Sequence, residues 1–300
     1  MLRNIVIITV LYYVVVLFLG YTNLYRDGDG IKIYFVDVGQ GDAVFIDVLG
    51  KATMLVDGGS DTRLDLFLDN YFKTPNCKVD LLLLTHPHSD HYGGMSPIIK
   101  RCKVLAFMFN DVDKPSSGFL DFANLIKNKY ENKKIYTNYF AGQKVYLDKL
   151  RIFILWPSQE FLTFNKRDYA NDLNLISGVL LLDYGEFEVL LTGDAEDAVL
   201  SNLDLRPYAR VIQKGLDVLK VPHHGSSGGI NRDLLAQLQP KICIISVGKG
   251  NSYNHPHAST LSLLQSMCRQ VLRTDLHGTI ELNSAEMLLS DYNDNKRLSH

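Results

Sequence analysis

From Ile31 onward the chain alternates short apolar runs with polar, turn-forming breaks. IKIYFVDV, AVFIDVL and ATMLVDGG read as three strands in hairpin succession, Thr62 to Tyr71 as a helix, and VDLLLLTH as a strand apolar enough to be covered on both faces. Further strands are expected at KVLAFMF, KVYL, LRIFILW, SGVLLLDYG, FEVLLTGD, DVLKVPHH and KICIISVG, with helices near Phe119 to Tyr130, Ile230 to Leu238 and Ser259 to Met267. About a dozen strands with helices between them predict an α/β sandwich, two sheets with helices outside. No repeat, low-complexity tract or Pro/Gly/Ser linker divides this stretch, so residues 31–300 are expected to form one domain.

The first 22 residues follow a different pattern. Ile5 to Tyr21 carries no charge and sits at the lower edge of membrane-spanning length. No small-x-small cleavage site stands near Gly20 and no cysteine follows, so residues 1–22 are expected to be an uncleaved transmembrane anchor rather than a removed signal. Residues 23–30 are polar and turn-rich, a linker. Arg3 on the short side keeps the N-terminus cytoplasmic and puts the catalytic domain outside the membrane; cleavage would instead release it as a secreted protein.

Composition excludes some classes. An apolar content of 46% with 21% charged residues fits a globular domain, not a disordered one. Lys and Arg total 31 against 33 Asp and Glu, so no global positive field draws the chain to nucleic acid. LIKNKYENKK is a local exception, read as a solvated helix face before a phosphate-binding one. Cys77, Cys102, Cys243 and Cys268 form no CxxC pair, and no disulfide framework is expected, with room for one bridge at most. Nothing in the sequence points to a protein partner.

Chemistry-bearing residues fall at strand ends, where a sheet presents side chains to a crevice. Seven of nine histidines lie in three groups, 86/88/91, 223/224 and 255/257. In THPHSDHYGG, His86 and His88 are two apart in an extended segment and point the same way, so both imidazoles can hold one ion. Asp90 and His91, past the turn, can reach a second. Neutral imidazole and carboxylate suit zinc first and manganese or iron after it. Two dications close together need a bridging anion, for which Asp194 in LLTGDAE is the candidate, and His224 in VPHHGSS fits as a further ligand of the second ion.

At these residues the sequence resembles the metallo-β-lactamase-fold superfamily and, within it, the hydrolase domain of ComEC-type DNA-uptake (competence) proteins. FVDVGQGDAVFID, LVDGG and the HxHxDH of His86 to His91 match the early motifs; SGVLLLDYG, LLTGDAE, LKVPHHGSS, NSYNHPHAS and LRTDLHGTI match the later ones. The resemblance covers about residues 31 to 283 and implies a four-layer αββα sandwich with its metal crevice between the sheets. Most hydrolases of the superfamily supply a third histidine to the first ion from mid-chain. Here no histidine occurs between His91 and His223, and Asn174 in NDLNLIS stands in that stretch instead.

The expected function is a dinuclear-metal hydrolase, a phosphodiesterase or nuclease with DNA as one candidate substrate. Asp90, His223 and His255 are the candidate catalytic residues. His223 is either the acid that protonates the leaving alkoxide or an orienting group, and which of His223 and His224 binds metal stays open. Asp57 is expected to orient a ligating histidine. Glu196 is a substrate contact or a solvated helix acid, and Asp37, Gln40 and Asp42 line the crevice or cap turn amides. Tyr253, His255 and His257 form a candidate lip. The alternatives are a cell-envelope or small-molecule phosphodiesterase resembling phosphorylcholine esterases and, more remotely, a non-catalytic metal-stabilised surface protein.

Overall fold

The computed structural model describes residues 30–74, 76–130 and 134–287. The expected anchor and linker, Lys133 and the residues after Met287 lie outside the described residues. Among those described, no helix is long and apolar enough to cross a membrane.

Among the described residues, fourteen strands form two seven-stranded sheets. In the first, β1 (Lys32–Phe35), β2 (Val44–Val48) and β3 (Ala52–Val56) run as an antiparallel meander, and β4 (Lys78–Leu83), β5 (Lys103–Phe109) and β6 (Lys134–Thr137) continue it in parallel; β14 (Ile280–Asn283) closes the other edge beside β1. The second sheet repeats the plan from the other end. There β7 (Lys144–Leu147), β8 (Leu150–Trp156), β9 (Val179–Asp183) and β10 (Glu188–Leu191) are antiparallel, and β11 (Val218–Lys220), β12 (Ile242–Ile245) and β13 (Gln270–Arg273) are parallel.

Alternation explains why VLLL in β9 is apolar at every position. Leu180 and Leu182 face the other sheet, joining Ile33, Phe35, Ile46, Met54 and Leu83 in the inter-sheet core, while Val179 and Leu181 face the outer helices. Each fully buried aliphatic side chain there contributes about 1.5–3 kcal/mol. Helices Arg63–Phe72, Met95–Arg101 and Ser117–Lys129 cover the outer face of the first sheet through Leu64, Leu68, Ile98, Phe119 and Phe122. Helices Arg232–Leu238 and Ala258–Met267 do the same for the second through Leu234, Leu235 and Leu264.

Two expectations change. Strands β6, β13 and β14 had not been expected; each is only four residues long and lies at the edge of its sheet. Two disulfides occur, Cys77–Cys102 and Cys243–Cys268, where one at most was expected. Each ties the start of one parallel crossover to its end, Cys77 leading into β4 and Cys102 into β5, Cys243 within β12 and Cys268 leading into β13. Residues 25 apart meet because neighbouring parallel strands bring them side by side, a relation that sequence spacing alone does not display.

Candidate metal centre

The parallel strands β3, β4, β10 and β11 end on the same side of the sandwich, and the crevice beyond those ends collects the polar residues, as in other open α/β sheets. After β4 the chain bends at Thr85 and His86, with a His88 N–H to His86 carbonyl bond (3.0 Å) where an extended segment was expected, then makes a single helical turn, Ser89–Tyr92, that brings His91 to Asp57. The His86 and His88 rings still meet, Nε2 to Nδ1 at 2.9 Å. Asp57 pins this loop. Its carboxylate accepts the Thr85 N–H (2.8 Å), the Thr85 hydroxyl (2.7 Å) and the His91 Nδ1–H (2.8 Å). Gly41 lets the β1–β2 loop press on the same turn, since a Cβ there would lie 2.1 Å from the Asp90 carbonyl oxygen.

Asp194 follows β10 in a turn that also requires glycine. Gly193 has φ +50°, and a Cβ on it would meet the Ser177 hydroxyl at 2.3 Å. Ser177 Oγ accepts the Asp194 N–H (2.9 Å) and stands 3.3 Å from His86 Nδ1. The PHHG segment after β11 holds His223 (φ 46°) and His224 (φ 54°) in left-handed backbone, strained for residues with a Cβ. That turn aims the two rings apart. His224 is fully buried, its Nδ1–H donated to the Ser246 carbonyl (2.9 Å), while His223 stays about one-quarter exposed with Nδ1 bonded to Glu196 (2.7 Å).

Two donor groups result, each with its atoms within 4.8 Å of one another: His86, His88 and Asp194, and Asp90, His91, Asp194 and His224. Asp194 belongs to both. Its Oδ2 is 3.2 Å from His91 Nε2 and 3.8 Å from His86 Nε2, and its Oδ1 is 3.6 Å from His224 Nε2. His224 Nε2 is also 3.6 Å from Asp90 Oδ2. A third group, Asp42, Asp57 and His91, has its carboxylates already engaged, Asp42 by Lys220 and Asp57 by Thr85 and His91.

These residues fit a pair of divalent ions on a direct test. His91 Nε2, His224 Nε2 and Asp194 Oδ1 are buried and have no hydrogen-bond partner, although buried polar atoms are nearly always paired. Three orphaned donors from three separate loops face one another, as metal ligands do. Electrostatics agrees. Burial works to lower the His91 pKa, but Asp194 and Asp57 outweigh it and hold the ring well above its ordinary value; His224 is likewise raised to about 9, Asp194 and Asp42 overcoming burial. His86, buried and beside His91, is pushed well below. The crevice therefore concentrates negative charge that draws cations, protons or metal ions alike.

Four residues that the sequence did not single out complete the site. Lys220, 1% exposed at the end of β11, pairs its ammonium with Asp42 and donates to the Gly193 carbonyl (3.0 Å), tying the first sheet's loop to the turn that carries Asp194. Asp42 in turn lies 3.4 Å from His224 Nδ1. Ser177, Thr85 and Ser226 supply hydroxyls, the last donating to Glu196 (2.6 Å). A lysine inside the apolar run VLKV was a readable signal; the hydroxyls had none.

The remaining candidates separate. Glu196 stands at the start of the helix Asp197–Leu200 with its side chain 37% exposed, and one oxygen accepts from both His223 and Ser226. Asp37 lies outside the pocket, where it accepts the Gly39 N–H (3.1 Å) as a turn former. Asn174 sits in the short turn Leu173–Ile176 just before Ser177, its buried Oδ1 unpartnered. Gln40, His88, Ser89, Asp90, Asp194, His223, His224, Tyr253 and His255 enclose a cleft of about 290 Å³; burial, aided by the neighbouring His224, lowers His255 to about 4. Lys129 is spent on structure, bonding the carbonyls of Ile99 and Lys100 at a helix end.

Residues 36–249 match the family described as the metallo-beta-lactamase superfamily. The chain is 30% identical over 270 residues to ComE operon protein 3 of Bacillus subtilis and 33% identical over 252 residues to Recombination protein 2 of Haemophilus influenzae, with 83% of this chain but only 32% and 28% of those proteins covered. It thus spans about a third of the curated relatives it matches. These are ComEC-type competence proteins, as the motifs imply. Among solved structures, CmlA, a diiron β-hydroxylase from Streptomyces venezuelae, shares the fold at a TM-score of 0.52 and 16% identity, over 85% of this chain and 54% of that one. The chain belongs to the metallo-β-lactamase superfamily, whose members are generally metal-dependent hydrolases.

Proposed function

We propose that the chain is a dinuclear-metal phosphodiesterase that cuts DNA, acting outside the membrane. The observation that carries this is Asp194, one carboxylate shared by two donor groups, with His223, bonded to Glu196, lining the same cleft. His86, His88 and Asp194 would hold the first ion, with Asn174 a weak addition to it; Asp90, His91, Asp194 and His224 would hold the second. Zinc, or else manganese, suits these donors, and two such ions would neutralise phosphoryl oxygens and lower the pKa of a water in the cleft.

The chain's own residues do the rest. Glu196 accepts the Nδ1–H of His223 and so fixes its ring, leaving Nε2, 3.8 Å from Asp194 Oδ2, toward the cleft. Protonated there, His223 is placed to give its proton to the leaving alkoxide, a step that a phosphodiester needs. Asp57 holds His91 so that its Nε2 faces the crevice, and Lys220 with Asp42 holds the Asp194 turn and His224 from beneath. Location outside the membrane is supported by the apolar run Ile5 to Tyr21 and by two disulfides, which persist in oxidising compartments.

A second reading, an envelope phosphodiesterase acting on a small head group, is favoured by the modest cleft volume of about 290 Å³. The test loads the full chain with zinc or manganese and assays it on a chromogenic phosphodiester and on labelled single- and double-stranded DNA, with Asp194→Asn as the blank. Metal-dependent DNA cutting absent from the blank supports the nuclease. Cleavage of the small diester alone moves the assignment to the second reading, and metal binding without any turnover overturns both.

A further inference from the structure

Beside the cleft, one aromatic ring is displayed where the fold has no use for it. Tyr253 lines the cleft and is 61% exposed, although a tyrosine ring ordinarily buries much of its surface. Its position is not that of a loose loop. The Asn251 side chain alone makes four hydrogen bonds around it: Oδ1 accepts the N–H groups of Tyr253 (3.1 Å) and His255 (3.0 Å), and Nδ2 donates to the carbonyls of Gly248 (3.0 Å) and His255 (2.7 Å). The far end of the loop is fastened to the ligand-bearing turn, His257 N–H donating to the Gly225 carbonyl (2.9 Å). Tyr253 stacks on His255 with centroids 5.8 Å apart and planes 26° from parallel, and His255 lies 5.6 Å from His223. A flat apolar face is thereby held rigidly one ring away from the proposed acid.

We infer that Tyr253 is a stacking platform for the nucleobase next to the scissile phosphate, and that the strand cut here must offer an unpaired base at that position. The inference rests on the nuclease reading and narrows it. In a cleft of about 290 Å³ the phosphate and its sugar leave little room, so the adjoining base falls on the rim, where Tyr253 stands. Bases within a duplex already have both faces covered, so only a single strand or a frayed end can use the ring. A quaternary ammonium head group would fit less well. Such cations are bound by cages of several aromatic faces, whereas Tyr253 stacks on the imidazole of His255, with His223 one ring beyond.

Steady-state cleavage by the metal-loaded full chain, its Tyr253→Ala and its Tyr253→Phe variants tests this, on a single-stranded oligonucleotide, on the same backbone made abasic, and on a chromogenic diester. Loss of one stacked base is worth ~1–3 kcal/mol, so Tyr253→Ala should raise KM for the base-bearing strand by about 5- to 150-fold with kcat and metal content unchanged. Tyr253→Phe should keep the wild-type KM. On the abasic strand the three proteins should be alike. Equal KM for wild type and Tyr253→Ala on the base-bearing strand, or an equal loss on the abasic one, overturns the inference and leaves the nuclease standing. A wild type that cleaves the chromogenic diester and no strand overturns the nuclease reading first, and this inference with it.

Discussion

The two sheets furnish the crevice by opposite means. The first supplies His86, His88, Asp90 and His91 from one loop after β4, a bend and a single helical turn that place four donors within six residues. The second supplies Asp194, His223 with Glu196, and His224 from separate turns after β10 and β11, held by a glycine at φ +50°, two histidines in left-handed backbone and a buried lysine. One half is local and needs little support beyond Asp57. The other is assembled, and its support is spread over Lys220, Asp42, Ser177 and Ser246. Donors that are close in sequence are positioned by backbone period; donors that are distant must be positioned by packing, which makes the second half the more vulnerable to change.

Substitutions sharpen that contrast, the largest effect coming from Lys220. Lys220→Met strands the buried carboxylate of Asp42, and breaking such a pair costs about 3–5 kcal/mol, so denaturant unfolding should show a loss of that size. Exposed Lys214, paired with Glu186, should move stability by well under about 1 kcal/mol when replaced. Reducing the bridges should lower stability next, by about 2–4 kcal/mol each. Melting curves with and without reductant, on chains lacking one bridge, check this.

His223→Ala should follow, keeping both metals while turnover falls by ~10²-fold or more, the deficit shrinking as the substrate's leaving group becomes more acidic. Glu196→Gln should reproduce part of that loss through misorientation of the ring. Smallest is Asp57→Asn in the local half. Weakening its hold on His91 should reduce metal affinity by about 10- to 100-fold, read by competition with a chelator, with kcat at saturating metal close to wild type. A loss of fold in Asp57→Asn, or unchanged stability in Lys220→Met, would reverse the contrast.

The same contrast explains what the sequence revealed. THPHSDHYGG could be read as metal-binding from spacing alone, because residue periods in strand and turn fix where neighbours point. Runs such as LRIFILW and VLLL announced themselves by continuous β-branched or leucine content, whereas KIYT, QVLR and IELN are strands only because a sheet edge receives them. The cysteine pairs are joined by strand adjacency rather than motif. Ser177 looked like an ordinary turn residue, and its hydroxyl matters only because the two sheets bring β4 and β10 ends together. Glu196 became interpretable once its hydrogen bonds to His223 and Ser226 were known.

Asp194 joins the two halves, and its replacement separates a shared metal ligand from a structural carboxylate. Metal content per chain is measured by mass spectrometry on wild type and Asp194→Asn after identical loading with zinc, alongside hydrolysis of a chromogenic phosphodiester. A carboxylate shared by both ions predicts two ions in the wild type, fewer in the variant, and loss of hydrolysis in step with the metal. Two ions and undiminished turnover in Asp194→Asn would contradict it.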